Sequence, residues 1–303
     1  MTFDALLKKP ILTDDDYKAY VHALYAEWQD YRKTGTFPTA DTLAAYMKGI
    51  NPSLPPQFFA GKLDSPIVQI NLNPHAGGKG SASEVLHEPY CKTWEKYWSY
   101  WQHFAHERYA EDGLVVTDYR NRNKKLTPSG FDNKLLHFFA SAAGIQPDEK
   151  MHEKLSTLGL ELIPLNSADF HLKKRDVYIK QYAERVADVL FLHERKLVIV
   201  LNGTVCPLFK LKGSSVYAIR KREEQWFERN DGTDAQHRSG CWIGLYELSR
   251  GTATERKTLR IIEAPTFAER FLNGVALENY GRELSKRLFT AEEKQTVKQM
   301  LSK

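Results

Sequence analysis

The chain has 303 residues, a net charge of +5 and a pI near 8.9, with 42% hydrophobic and 27% charged residues. Such a length suits one large globular domain, or a core with terminal additions. It carries no uncharged apolar run of about 18 residues for a spanning helix, an acidic start unlike a signal peptide, and three scattered cysteines, Cys91, Cys206 and Cys241, that form neither a disulfide framework nor a CxxC metal site. A reduced, cytoplasmic setting without membrane contact is expected.

In chain order, residues 1–62 are predicted to be a mostly helical addition. Asp14, Asp15 and Asp16 can cap a helix whose apolar positions, Tyr17, Tyr20, Val21, Leu24, Tyr25 and Trp28, recur near helical spacing. A second helix starts in 37–50, with Thr39 or Asp41 as cap and Gly49 near its end, and the proline-rich stretch 51–59 is a connector. Four short apolar runs follow, at 67–72, 160–165, 197–201 and 259–262, separated by helical patterns at 93–109, 133–143, 177–193 and 266–272. That alternation predicts an α/β fold of three αβα layers around a mainly parallel central sheet. The core is expected over 63–275 and a helical segment over 276–303, where 290–303 reads as a capped amphipathic helix. Segments 113–130 and 215–250 do not fit the pattern. The first suggests a strand and a basic loop, and the second a hairpin insertion.

Each apolar run ends in polar or turn residues, and sites in open α/β sheets lie at the carboxyl ends of the strands. Asn73, His75, Asn166, Asn202 and Thr266 are therefore expected to converge. Pro74 biases Asn73 toward an extended conformation, and an amide there can place a water molecule or simply cap a turn. Gly77, Gly78 and Gly80 let backbone amides approach an anionic oxygen, without Walker A or GxGxxG spacing. Asn166 can pair with the edge of a planar base or serve as a turn residue. Asn202-Gly203 reads as a tight turn. Most rings among Tyr90, Trp94, Tyr97, Trp98, Tyr100, Trp101 and Phe104 recur at helical spacing and are expected in the core, leaving one near the helix start able to stack on a base. Basic clusters at 120–125, 173–175 and 220–222 suit solvated surface or phosphate contacts. GxSxG, HExxH, and the HxE with PCxxC of zinc deaminases are all missing from the sequence, and no metal is expected.

Taken in order, "INLNPH", "EPYCKTW", "LELIPLNSADF", "LVIVLNGTVCPLF" and "LRIIEAPTFAER" resemble the motifs of the uracil-DNA glycosylase superfamily, the first being similar to its mismatch-specific branch. The resemblance runs with interruptions over about 67–272. It implies that Asn73 positions the attacking water, that His75 is a second catalytic-site residue shaping the pocket beside base C5, and that Asn166 reads the base edge. Leu86 falls near the family's stacking phenylalanine. Gly77, Gly78, Lys79, Pro265 and Thr266 would contact DNA, and Phe267 would wedge into the stack. Ala264 departs from the pattern, occupying the place of a histidine or asparagine that helps stabilise the departing base.

The function expected is a monomeric DNA glycosylase that flips a uracil-like, damaged or modified base and hydrolyses its N-glycosidic bond without a cofactor. The alternatives are a catalytically weak or inactive member that binds DNA or a base, and an unrelated hydrolase or nucleotide-binding protein using the same sheet edge.

Overall fold

The computed structural model describes residues 1–72, 74, 91–103, 115–117, 123–125, 130–148, 151, 154–170, 177–203, 205–209, 221–224, 242–251, 256–266 and 274–302. The chain opens with α1 (Phe3–Leu7), whose first turn is capped by the Thr2 hydroxyl. In α2 (Asp14–Thr34) the cap is Thr13 rather than an aspartate. Its hydroxyl accepts from the Asp16 N–H, and the Asp16 carboxylate accepts from the Thr13 N–H in return. The Thr13 hydroxyl, followed by the Leu12 N–H, holds Asp16 below the usual carboxylate range. Gly35, at φ 74°, closes the helix in a left-handed conformation.

The expected second helix is shorter than the pattern suggested. After α3 (Pro38–Leu43) the chain becomes a strand, β1 (Met47–Ile50), antiparallel to β7 (Ser167–Phe170). Gly49 has φ 62°, and the waiting edge of β7 supplies a ladder that outweighs helix propensity. Residues 1–62 are thus not wholly helical, and β2 (Phe59–Ala60) enters the central sheet.

Among the described residues that sheet has seven strands, in the order β2, β6 (Leu158–Glu161), β3 (Ile67–Asn71), β8 (Leu197–Val200), β11 (Arg256–Glu263), β10 (Trp242–Gly251) and β9 (Lys221–Glu224). Its middle is formed by the four apolar runs, β3, β6, β8 and β11. β6, β3, β8 and β11 are successive neighbours, all parallel, with Ile70 opposite Leu160, Val68 opposite Val198 and Ile262 opposite Ile199. Antiparallel strands flank them, β2 beside β6 and β10 beside β11. β9 pairs with β10. Within 215–250, β9 and β10 are therefore an antiparallel pair that widens the central sheet. In 113–130, β4 (Val115–Thr117) pairs with β5 (Asn123–Lys125).

Two buried clusters lie against opposite faces of the sheet. Val68, Ile70, Leu160, Val198 and Val200 pack with Tyr17, Tyr20 and Trp28 of α2, Tyr97 and Trp101 of α4 (Trp94–Gln102), and Ile179 and Tyr182 of α6 (Val177–Leu190). Ile67, Leu197, Ile199 and Ile262 pack with Phe138 and Phe139 of α5 (Gly130–Ala143), Tyr280 and Leu284 of α7 (Gly274–Leu288), and Val297 of α8 (Ala291–Ser302). Near-continuous apolar runs are what a parallel strand covered on both faces requires. Tyr97 and Trp101 are core residues, as their spacing suggested, and Tyr100, outside that spacing, is buried with them, whereas Trp94 and Trp98 are partly buried against the cluster.

Candidate functional site

Because β6, β3, β8 and β11 are adjacent and parallel, their carboxyl ends share one edge of the sheet. The ladder continues past the strands. Leu162 N–H donates to Asn71 O at 3.0 Å, Ile163 N–H to Leu72 O at 2.9 Å, Leu201 N–H to Ile70 O at 2.8 Å and Ala264 N–H to Val200 O at 2.8 Å. Beyond these, Ser167 N–H donates to Pro74 O at 3.3 Å. That bond ties Pro74 to the residue next to Asn166.

Asn166 is buried, at 8% exposure. Its Nδ2 donates to Pro55 O at 3.1 Å, and its backbone carbonyl accepts from Asn51 N–H at 3.0 Å. One of the two amide hydrogens is thus committed to the connector. Asn202 makes the expected turn, its carbonyl accepting from Val205 N–H at 3.2 Å before the short 3₁₀ helix Cys206–Phe209. Ala264 and Pro265 are buried and Thr266 is half-buried at the end of β11. Asn73, His75, Gly77, Gly78, Lys79, Leu86 and Phe267 lie outside the described residues. So do the side chains of the three basic clusters.

The edge also holds polar groups that the sequence pattern had absorbed into apolar runs. Gln69 and Asn71 alternate with Val68 and Ile70 along β3, which places them on the face occupied by α5 and α7. Glu161, the last residue of β6, is opposite Asn71, whose Nδ2 donates to Glu161 Oε1 at 3.0 Å. Glu161 Oε2 and Gln69 Oε1 are buried and have no hydrogen-bond partner among the described residues. Burial pushes the Glu161 carboxyl up to about 8, against the opposing pull of the Asn71 hydrogen bond. Gly159, opposite Gln69, keeps this column open, since a Cβ there would stand 3.1 Å from Gln69 Nε2. On the other face Glu263 ends β11 fully buried beside Gly244, where a Cβ would fall 2.7 Å from its Oε2. For Gln69 and Asn71 the signal was an amide at two alternate positions of a run that burial on both faces should have made apolar, whereas Glu161 and Glu263 each stand singly in theirs.

Among the described residues, no three His, Cys, Asp or Glu side chains cluster so as to hold a metal ion, and no helix is long and apolar enough to cross a membrane. Compared with protein-family models, with curated proteins and with solved structures, the chain matches none of them.

Proposed function

We propose that this chain is a DNA glycosylase of the uracil-DNA glycosylase type, with the sheet as the middle of three αβα layers and the carboxyl edge of β6, β3, β8 and β11 as its base pocket. The observation that carries the reading is the order of that edge. The four motif-bearing runs are contiguous, and the Pro74 carbonyl bonds the residue after Asn166. In this reading DNA is the partner, no cofactor enters, and one chain suffices.

Asn73 holds the water whose oxygen bonds to the anomeric carbon. The C–N bond breaks, its electron pair leaves with the base, and the proton lost by the water is taken up by the base. A neutral amide suffices where the leaving group departs early and DNA phosphates stabilise the cationic sugar. His75 shapes the pocket, Asn166 reads the base edge and Leu86 packs on its face. Gly77, Gly78, Lys79, Pro265, Thr266 and Phe267 hold the DNA. Flipping costs a few kcal/mol, least for a damaged or mismatched base.

The test is incubation with oligonucleotides carrying uracil, mismatched thymine, hypoxanthine or modified cytosines, followed by alkali to reveal abasic sites. Release from at least one of them, lost in Asn73→Ala, is expected. The enzyme reading is overturned by no release from any of them, with Asn73→Ala behaving as wild type.

One observation favours a second reading, a catalytically weak or inactive member that binds DNA or a base. Ala264 is wholly buried and its N–H is spent on Val200 O. The place of a hydrogen-bonding side chain is thus held by a methyl group. This reading predicts DNA binding that weakens steeply with salt and yields no abasic product.

A further inference from the structure

We propose that Glu161, clamped by Asn71, is a base-contacting carboxylic acid whose second oxygen donates a hydrogen bond to a carbonyl or ring-nitrogen acceptor of the base held at the sheet edge. It would thereby help to decide which base is taken. The inference deepens the glycosylase reading and rests on that placement of the pocket.

The argument begins with an anomaly of the sheet. A parallel strand covered on both faces has no packing use for an acid, yet Glu161 ends β6 at 8% exposure. Asn71 Nδ2 donates to Oε1 at 3.0 Å and leaves Oε2 with no partner among the described residues. An orphaned buried polar atom costs about 1–3 kcal/mol. A leucine or valine would avoid that cost, as at neighbouring positions of these strands. Gln69, on the same face, carries a second orphaned oxygen at 7% exposure. Two unsatisfied oxygens on one face, at the end of the sheet where the motif turns gather, mark a place built for a group from outside the chain.

The protonation state selects what that group must be. Among the described residues no charged side chain acts on the Glu161 carboxyl, only burial first and then the Asn71 hydrogen bond. Near neutral pH the carboxyl is mostly protonated. Because Asn71 donates to Oε1, the proton resides on Oε2. An Oε2–H seeks an acceptor, so a base bearing a carbonyl or a bare ring nitrogen is favoured. A base presenting an amino group there leaves two donors facing each other. Once Oε2 is ionised the preference reverses.

The experiment measures binding and base release separately, from pH 5.5 to 9.5, for wild type, Glu161→Gln, Glu161→Leu and Asn71→Ala. Paired oligonucleotides differ at one base, uracil against cytosine and hypoxanthine against adenine. In wild type a tenfold or greater preference for the oxo base is expected at pH 6 and is lost above pH 9. In Glu161→Gln the preference is expected to be independent of pH, and in Glu161→Leu it falls to under twofold. Asn71→Ala moves the pH at which preference is lost without abolishing it at pH 6. The proposal is overturned if wild type and Glu161→Gln share one pH profile, or if wild type shows no oxo preference in binding. If preference is seen in binding but no base is released, the glycosylase reading fails and the assignment of Glu161 stands. If base is released identically by all four proteins, the assignment fails and the glycosylase reading stands.

Discussion

Asp188 and Glu161 are two carboxylates buried in one molecule and surrounded in opposite ways. Asp188, on α6, accepts from Ile11 N–H at 2.9 Å, stands 3.0 Å from Arg185 Nε and lies 2.9 Å from Arg250 Nη2. Arg185 in turn donates to the carbonyls of Leu7 and Lys9. Burial raises the pKa of Asp188, and three donors pull against it. Among the described residues Glu161 has one donor, and burial takes it up to about 8. The difference teaches how to sort buried polar groups by their partners. A saturated carboxylate joins distant pieces of chain, here the α1–α2 connection to α6 and β10. An unsaturated one leaves bonding capacity for a ligand.

The largest effect expected from this contrast is at the saturated carboxylate. Asp188→Ala takes from the buried Arg185 its closest ion-pair partner and leaves only Glu184 Oε2, 3.6 Å from Nη2, and breaking a buried pair costs roughly 3–5 kcal/mol. Urea denaturation at neutral pH should show a loss of that size, and a loss below about 1 kcal/mol would break the comparison. The next effect is at Glu161 and is read in pH. Its folded pKa lies above the unfolded value, so its contribution to stability is fully present below the ordinary value of 4.5 and is lost as pH rises toward about 8. Between pH 5.5 and 7.5 wild type should lose about 2.5 kcal/mol from this group. Glu161→Gln, which keeps the shape and cannot ionise, should be flatter over the same window by that amount. Parallel curves would show that Oε2 reaches solvent or a partner.

Much of the fold was legible because the parallel strands are apolar on both faces, and turn residues such as Asn202-Gly203 and Pro265-Thr266 punctuate their ends. β9 and β10 were harder. Lys221 and Arg222 read as solvated surface or phosphate contacts within an expected hairpin, although register with Gly244 and its neighbours puts residues 221–224 at a sheet edge. β1 was hidden in a helical pattern because its pairing with Ser167–Phe170 is a tertiary fact that local propensity does not carry. At the candidate site, Ser167, next to Asn166, donates to Pro74 O, while Asn73 and His75 lie outside the described residues. Glu161 escaped notice because one acid between Leu160 and Leu162 looks like noise in an apolar run. Only the register opposite Asn71 shows that its carboxyl has a clamp on one side and no partner among the described residues on the other.

Two smaller perturbations sharpen the saturated side. Thr13→Ala removes the hydroxyl that caps α2 and should cost about 1 kcal/mol in the same denaturation assay. Lys8→Ala should do least. Lys8 Nζ lies 2.6 Å from Asp4 Oδ2, but the side chains are 56% and 59% exposed. Water already solvates both charges, and holding two long side chains together costs entropy, so such a pair is worth no more than about 0.5 kcal/mol. The segment around Lys8 is instead held by its backbone, since Arg185 grips the carbonyls on either side of it, at Leu7 and Lys9. Lys8→Ala should therefore leave the denaturation midpoint nearly unchanged, and the small difference should vanish in about 0.5 M salt, where exposed charges are screened. Had the Asp4–Lys8 pair been what docks α1, its removal would match Asp188→Ala. The expected ranking, with Asp188 far above Lys8, follows from where each charge finds its partners rather than from how short the contact is.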